Sequence, residues 1–325
     1  MDLRLNNLRF IILFLVLGVC QLLSSCNKAK PIELAYVDLN FPLNTAINDV
    51  LVVNDSSLYI ANGNLYQEGK LYHSTDEGKN WSSIYDHEHQ LRKLRWSNNE
   101  LFCISLGNTI IGYIPTTSNL RTITLAGWEN WTDLAFWPNG SGLATVGYNL
   151  GYGEILRFDT AYTPDYSDSL GYFHEFREIH LLEDSTVYIS GYGIVMKSTD
   201  RGQTWTDQLL RGDFFRAMSF ADENTAYIIG QYGSIYKTTD GGDKWNRLRN
   251  GNTLKVTRFY DVHFTSVDKG VIVGGNGLIW TTIDGGISWK VLENIPTESN
   301  WLTVHGSGDT FYIGSSTGEL IAIEI

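Results

Sequence analysis

The sequence predicts an all-β protein, a seven-bladed β-propeller whose last blade is closed by the N-terminal strand. Three observations predict it. One short phrase recurs at a period of roughly 40 residues, the spacing of propeller blades. The segments between copies read as short runs of apolar and β-branched residues bounded by turns, and 32 glycines with 13% aromatic residues suit many short strands joined tightly. The final stretch supplies only three strands, leaving a place for one from the other end of the chain.

The chain begins with Arg4 and Arg9, an apolar run from Phe10 to Val19, and "LSSC" from Leu23 to Cys26. Charge, apolar run and small residues in that order are a secretory signal, and the run is shorter than the roughly 20 residues a membrane span needs. The ending resembles a bacterial lipoprotein signal, which implies that Cys26 becomes a lipidated N-terminus. The expected organisation is a signal peptide over 1–25, a tether over 26–31 and a propeller over 32–325. The resemblance places the chain in the bacterial envelope, lipid-anchored. "CNKAKP" carries no acidic cluster after the cysteine, which favours an outer membrane face directed to the periplasm. Cys20 falls in the signal, so Cys103 has no internal partner and is expected as a small buried hydrophobe. A formal net charge of −12 without a basic tract argues against nucleic acid as a partner.

The recurring phrase appears as "HSTDEGKNW", "KSTDRGQTW", "KTTDGGDKW" and "TTIDGGISW", with aspartates Asp76, Asp200, Asp240 and Asp284. The gap from Asp76 to Asp200 holds three periods, so degenerate copies are expected around Thr117 and Asp159. An Asp followed by glycine makes a tight turn, the carboxylate accepting backbone N–H groups while glycine takes positive φ. Four such aspartates on successive blades are spread around a rim and do not converge on one substrate. They are expected to be structural fasteners between the third and fourth strands.

One blade illustrates the reading. "FFRAMSF" is its inner strand, "TAYIIG" the second, "SIYKTT" the third and "KWNRL" the outer one, with alternation suited to a sheet packed between two others. The pattern repeats over 47–86, 89–127, 129–172, 174–212, 213–252 and 254–296. "WLTVHGS", "TFYIGSS" and "ELIAIEI" supply three strands of a seventh blade, and "IELAYVDL" from Ile32 to Leu39 is free to complete it. Closure removes exposed strand edges.

The phrase Ser/Thr-x-Asp-x-Gly-x-x-Trp resembles the Asp box, or bacterial neuraminidase repeat. The blade style of "VGGNGLIWTTIDGG" is most similar to the photosystem II assembly-factor propellers and more distantly to sialidases. The first resemblance implies a non-enzymatic binding or assembly module with an arginine patch for a protein partner. The second implies, as the alternative, a glycan-binding protein or a sialidase-like glycoside hydrolase with a diverged site. The Phe-Arg-Ile-Pro phrase of sialidases is absent, "FREI" at Phe176 to Ile179 being a partial echo.

Strand alternation puts the hairpins between second and third strands, and the starts of the inner strands, on the face opposite the boxes. Arg92, Arg177 and Arg216 align at those starts. Tyr192 and Tyr232 lie in the hairpins, with Tyr148 and Tyr152 in a looser copy. Arginine forks bind carboxylates bidentately and tyrosine offers an apolar face with a polar tip. The set suits an envelope protein, an acidic peptide or an anionic glycan. Alternatively each arginine pairs with a carboxylate of a neighbouring blade, such as Glu178 or Asp213. His180, His263 and His305 occupy equivalent inner-strand positions and are expected as structural histidines between blades, not as zinc ligands. No catalytic residue, metal or cofactor is assigned, and the expected state is a monomer.

Overall fold

The structure is a computed structural model that describes residues 36–148, 152–165, 174–182, 185–251, 258–293, 295 and 299–325. Cys26, the signal and the whole tether lie outside the described residues. Seven antiparallel four-stranded sheets follow one another along the chain. Blades 1 to 6 run over 47–87, 91–129, 131–165, 176–207, 215–249 and 259–291. Blade 7 takes Trp301–Ser307, Thr310–Ser315 and Leu320–Glu324 from the end of the chain and Tyr36–Asp38 from its beginning. The closing strand pairs Tyr36 with Ile323, Val37 with Ala322 and Asp38 with Ile321, as the strand count predicts.

The core is divided into layers between blades. Leu51, Tyr59 and Leu71 of blade 1 meet Leu91, Leu94, Leu101 and Ile111 of blade 2. Phe41, Val50, Val52 and Ile60 meet Tyr312 and Leu320 across the seam between blades 7 and 1. Each sheet therefore buries both faces. This corrects the expected alternation in the second strands: Ala226–Gly230 and Gly270–Gly274 are buried at every position, because neighbours cover both sides. Fully burying one such Val or Ile contributes about 1.5–3 kcal/mol. Cys103 is one of these buried side chains.

The boxes are hydrogen-bonded turns that extend further than a hairpin. In blade 5 the Thr238 hydroxyl donates to Asp240 Oδ1 at 2.8 Å and accepts from Gly242 N at 2.9 Å, while Lys244 N donates to the same carboxylate oxygen. Ser74, Ser198 and Thr282 repeat this around Asp76, Asp200 and Asp284. Gly242 and Gly286 sit at φ 82° and 81°, where a Cβ would meet Tyr188 and Tyr227 of the preceding blade. Those tyrosines bond the box: Tyr188 Oη donates to Gly241 O, and Tyr227 Oη to Gly285 O at 3.0 Å. Lys197 and Lys237 add a bond to the same carbonyls at 2.9 Å. Each of these boxes thus clasps the blade before it.

Of the two degenerate copies, Asp159 keeps the carboxylate half, accepting from Thr163 N at 2.7 Å. The turn around Thr117 has no box. Arg121 there pairs with Glu100 at 2.7 Å and lies 3.8 Å over the Tyr162 ring of blade 3.

Candidate functional site

Every inner strand carries a register shift near its start: between Ile47 and Asp49, Leu91 and Leu94, Trp131 and Asp133, Phe176 and Glu178, Phe215 and Ala217, Phe259 and Asp261, and Trp301 and Thr303. Such a bulge re-aims one residue out of the ladder. Arg177 and Arg216 are the displaced residues of blades 4 and 5, and Arg92 lies within the longer shift of blade 2.

Just inside the bulge, one blade bonds the next. Asp49 Oδ2 accepts from Leu94 N at 2.8 Å, Asp133 Oδ2 from Ile179 N at 3.0 Å, and Asp261 Oδ2 from Val304 N at 3.0 Å. Glu178 Oε2 accepts from Met218 N, and Thr303 Oγ1 from Val50 N at 3.3 Å. Blades 2 and 5 have Lys93 and Ala217 at this position and supply no acceptor. The following strands compensate with their own aspartates, Asp133 Oδ1 taking Leu134 N and Asp261 Oδ1 taking Val262 N. Lys93 and Arg95 balance the acids, Arg95 pairing with Asp133 and lying 3.5 Å from Glu178. Burial pushes the carboxyls of Asp133, Glu178 and Asp261 up, opposed by both cations at Asp133 and Glu178 and by Lys93 at Asp261.

This ring was missed in the sequence reading. Its signal is an acid or threonine two residues after the apolar start of the inner strand, as in "IND", "WTD", "FRE", "FYD" and "WLT".

The three histidines lie one step deeper. His305 Nδ1 accepts from Val52 N at 3.3 Å, and the rings of His263 and His305 are 4.0 Å apart. Burial lowers the imidazole pKa to about 3 in His180 and about 4 in His263. These are neutral, interblade groups. Among the described residues, no cluster of His, Cys, Asp and Glu could hold a metal ion.

The mouth above the ring brings the three arginines together. Arg177 is near enough to both others that its charge is the second cause, after burial, that lowers Arg92 and Arg216 to about 10, so those two stay protonated near neutral pH. Their partners differ. Arg92 Nη1 donates to Asn130 Oδ1 at 2.6 Å and Trp131 O at 3.0 Å. Arg177 pairs with the buried Glu175 of its own blade. Arg216 makes no hydrogen bond or ion pair among the described residues and lies over the rings of Phe214, 5.8 Å away, and Tyr260, 5.3 Å away.

The alternative pairing is therefore corrected. Glu178 is engaged with Met218 N and Arg95, and Asp213 with the N–H groups of Phe214, Tyr232 and Ser234, so neither ties a mouth arginine to a neighbouring blade.

Phe214 is a site residue the sequence did not reveal. It is buried, Arg177 and Arg216 lie over its ring, and Tyr192 packs edge-on against it at 5.4 Å. Tyr192 thereby joins the arginines and keeps 45% of its surface exposed. Tyr232 is equally exposed, on a hairpin held by Asp213, and makes no hydrogen bond or ring contact with the three arginines among the described residues. The side chains of Tyr148 and Tyr152 lie outside the described residues. Tyr66, 70% exposed, is near enough to influence Arg92 and extends the aromatic surface.

Comparison with known proteins follows the same lines. The family model of the photosynthesis system II assembly factor YCF48 matches residues 211–300, blades 5 and 6. The similarity to that group is shown for that portion of the chain. No curated protein matches in sequence. Among solved structures, YCF48 from Cyanidioschyzon merolae is 12% identical, with a TM-score of 0.67 over 89% of this chain and 98% of that one. YCF48 bound to D1 peptide is 16% identical, with a TM-score of 0.67 over 91% and 98%. Virginiamycin B lyase from Staphylococcus aureus is 10% identical, with a TM-score of 0.75 over 90% and 100%. At these identities the structural matches establish the propeller fold alone.

Proposed function

We propose that this protein is a non-enzymatic propeller that holds an acidic segment of a protein partner at the channel mouth. The observation that carries the reading is Arg216, a desolvated cation without a polar partner among the described residues, sharing the Phe214 ring with Arg177. A carboxylate arriving there meets donors whose dehydration has already been paid in folding. Tyr192 and Tyr66 flank the arginines with exposed rings suited to an extended chain. The YCF48 family match over blades 5 and 6, and a related fold solved with a D1 peptide, support a protein over a sugar as the ligand class.

The buried acids below the mouth support the same choice. Asp49, Asp133, Glu178 and Asp261 hold backbone N–H groups of the ring and are committed to structure. Affinity capture from detergent-solubilised envelope, read by mass spectrometry with the wild type and an Arg92→Ala, Arg177→Ala, Arg216→Ala variant, tests the proposal. One protein recovered only by the wild type supports it. Identical recoveries, or release of sugar from an anionic glycan, overturn it.

The proposal includes a lipid anchor at Cys26, on an outer membrane facing the periplasm. It rests on the lipobox "LSSC" and the apolar run before it. Cys26→Ser is expected to move the protein to the soluble periplasmic fraction, and retention on membranes in high salt would contradict the anchor.

A further inference from the structure

The seam between blades 7 and 1 differs from the joints that follow blades 4 and 5. Tyr312 stands where Tyr188 and Tyr227 stand in blades 4 and 5, facing the inner strand across the same register: His305 with Tyr312, His180 with Tyr188, Ser219 with Tyr227. The two counterparts donate to the box carbonyl of the next blade. Tyr312 is only 5% exposed, yet its hydroxyl makes no hydrogen bond among the described residues. Leu39, from the segment after the closing strand, lies against Gly78 of the blade 1 box, where Tyr188 and Tyr227 lie against Gly242 and Gly286. The clasp is open here, and a cavity of about 720 Å³ occupies the joint on the box face, opposite the arginine mouth.

The lining is two-natured. Val37, Leu39, Val52, Tyr312 and Ala322 form an apolar floor. Asp55 and Glu77 of blade 1 and Asp309 and Glu324 of blade 7 form an acidic rim. Lys79 neutralises Glu77 at 2.8 Å and Lys269 neutralises Asp309 at 2.6 Å. Among the described residues, Asp55 accepts only from the Ser307 hydroxyl, at 3.0 Å, and Glu324 makes no ion pair. One uncompensated carboxylate therefore remains on each wall, with an unpartnered phenol between them. Lysine and arginine place a cation at the end of an apolar stem, the shape this lining complements.

We propose that this seam groove is a second binding site, for an extended basic-apolar peptide segment of a partner protein. Lysine or arginine stems would lie on Val52, Tyr312 and Ala322, their cations reaching Asp55 and Glu324, while Tyr312 Oη donates to a peptide carbonyl. The site is independent of the arginine mouth and takes ligands of the opposite charge.

The test is fluorescence anisotropy with the full chain in detergent, using a labelled Leu-Lys-Leu-Lys-Leu peptide and its Leu-Glu-Leu-Glu-Leu counterpart. The lysine peptide is expected to bind, more weakly as salt rises, and the glutamate peptide to leave this groove empty. Tyr312→Phe should weaken the lysine peptide about 2–10-fold, the scale of one net hydrogen bond. Asp55→Asn and Glu324→Gln should each weaken it and flatten the salt dependence, with unchanged melting of the exposed Glu324→Gln variant confirming the fold. Arg216→Ala should leave it alone. No binding of the lysine peptide, or binding indifferent to Tyr312→Phe and Glu324→Gln, overturns the proposal. So does a dimer in sedimentation that Glu324→Gln dissolves, since a second copy would then be the occupant.

Discussion

Thr238 shows what one side chain contributes to a fastener. Its hydroxyl is fully buried, orients Asp240 and accepts the buried Gly242 N–H, whereas the Asp240 carboxylate is itself exposed. Thr238→Val should therefore cost about 1–3 kcal/mol in chemical denaturation, the cost of a buried N–H left unpaired, and more than Asp240→Ala. Equal or reversed costs would mean that the carboxylate carries the turn. The box carboxylates are held below their ordinary range, Asp76 by Asn80, Asp200 by Thr204 and Asp284 by Ser288, each to about 2. A depressed carboxyl contributes stability above its unfolded value near 3.8 and loses it as pH falls towards 2. The histidines act in a higher window. Their folded values lie below 6.5, so their contribution is whole above pH 6.5 and drains as pH falls towards about 4. Melting measured from pH 7 to 4 should drop less steeply in His180→Gln than in the wild type, and parallel curves would remove that histidine from the account.

At the scale of the element, the inner strand carries the most information and concealed the most. Its apolar anchors and the alignment of Arg92, Arg177 and Arg216 were legible, because an aligned repeat exposes equivalent positions. The bulge was not, since a register shift is a property of two strands and leaves only an acid at the third position as its trace. The tyrosine clasp escaped for a similar reason: Tyr188 and Gly241 are distant in sequence and meet only when blades stack. Asp133 tests the ring. It is fully buried, accepts Ile179 N and Leu134 N, and pairs with Arg95. Asp133→Ala leaves Arg95 with only part of its compensation and is expected to cost about 3–5 kcal/mol by urea unfolding. A cost below about 1 kcal/mol would show that the blades are held by their apolar layers alone.

For the whole molecule, closure was readable because three strands at one end and one at the other leave a single arithmetic solution. The seam groove was not, because it arises where Tyr312 lacks the contact that Tyr188 and Tyr227 make at the joints after blades 4 and 5. Leu39 N donates to Leu320 O at 3.0 Å and extends the closing pair. Leu39→Pro should speed amide exchange in Leu320–Glu324 ahead of other blades, and uniform exchange would deny the closing strand its role. The two faces differ in charge, with arginines at the mouth and acids at the seam, and the mouth carries the central claim. Titration of an acetylated acidic peptide into the wild type and Arg216→Ala, beside thermal melts, tests that claim most directly. Because Arg216 has no hydrogen bond or ion pair to lose among the described residues, melting should change little while affinity falls about tenfold to a hundredfold, the 1.5–3 kcal/mol of a bond to a charged group. Arg216→Ala binding the acidic peptide as tightly as the wild type would contradict the account.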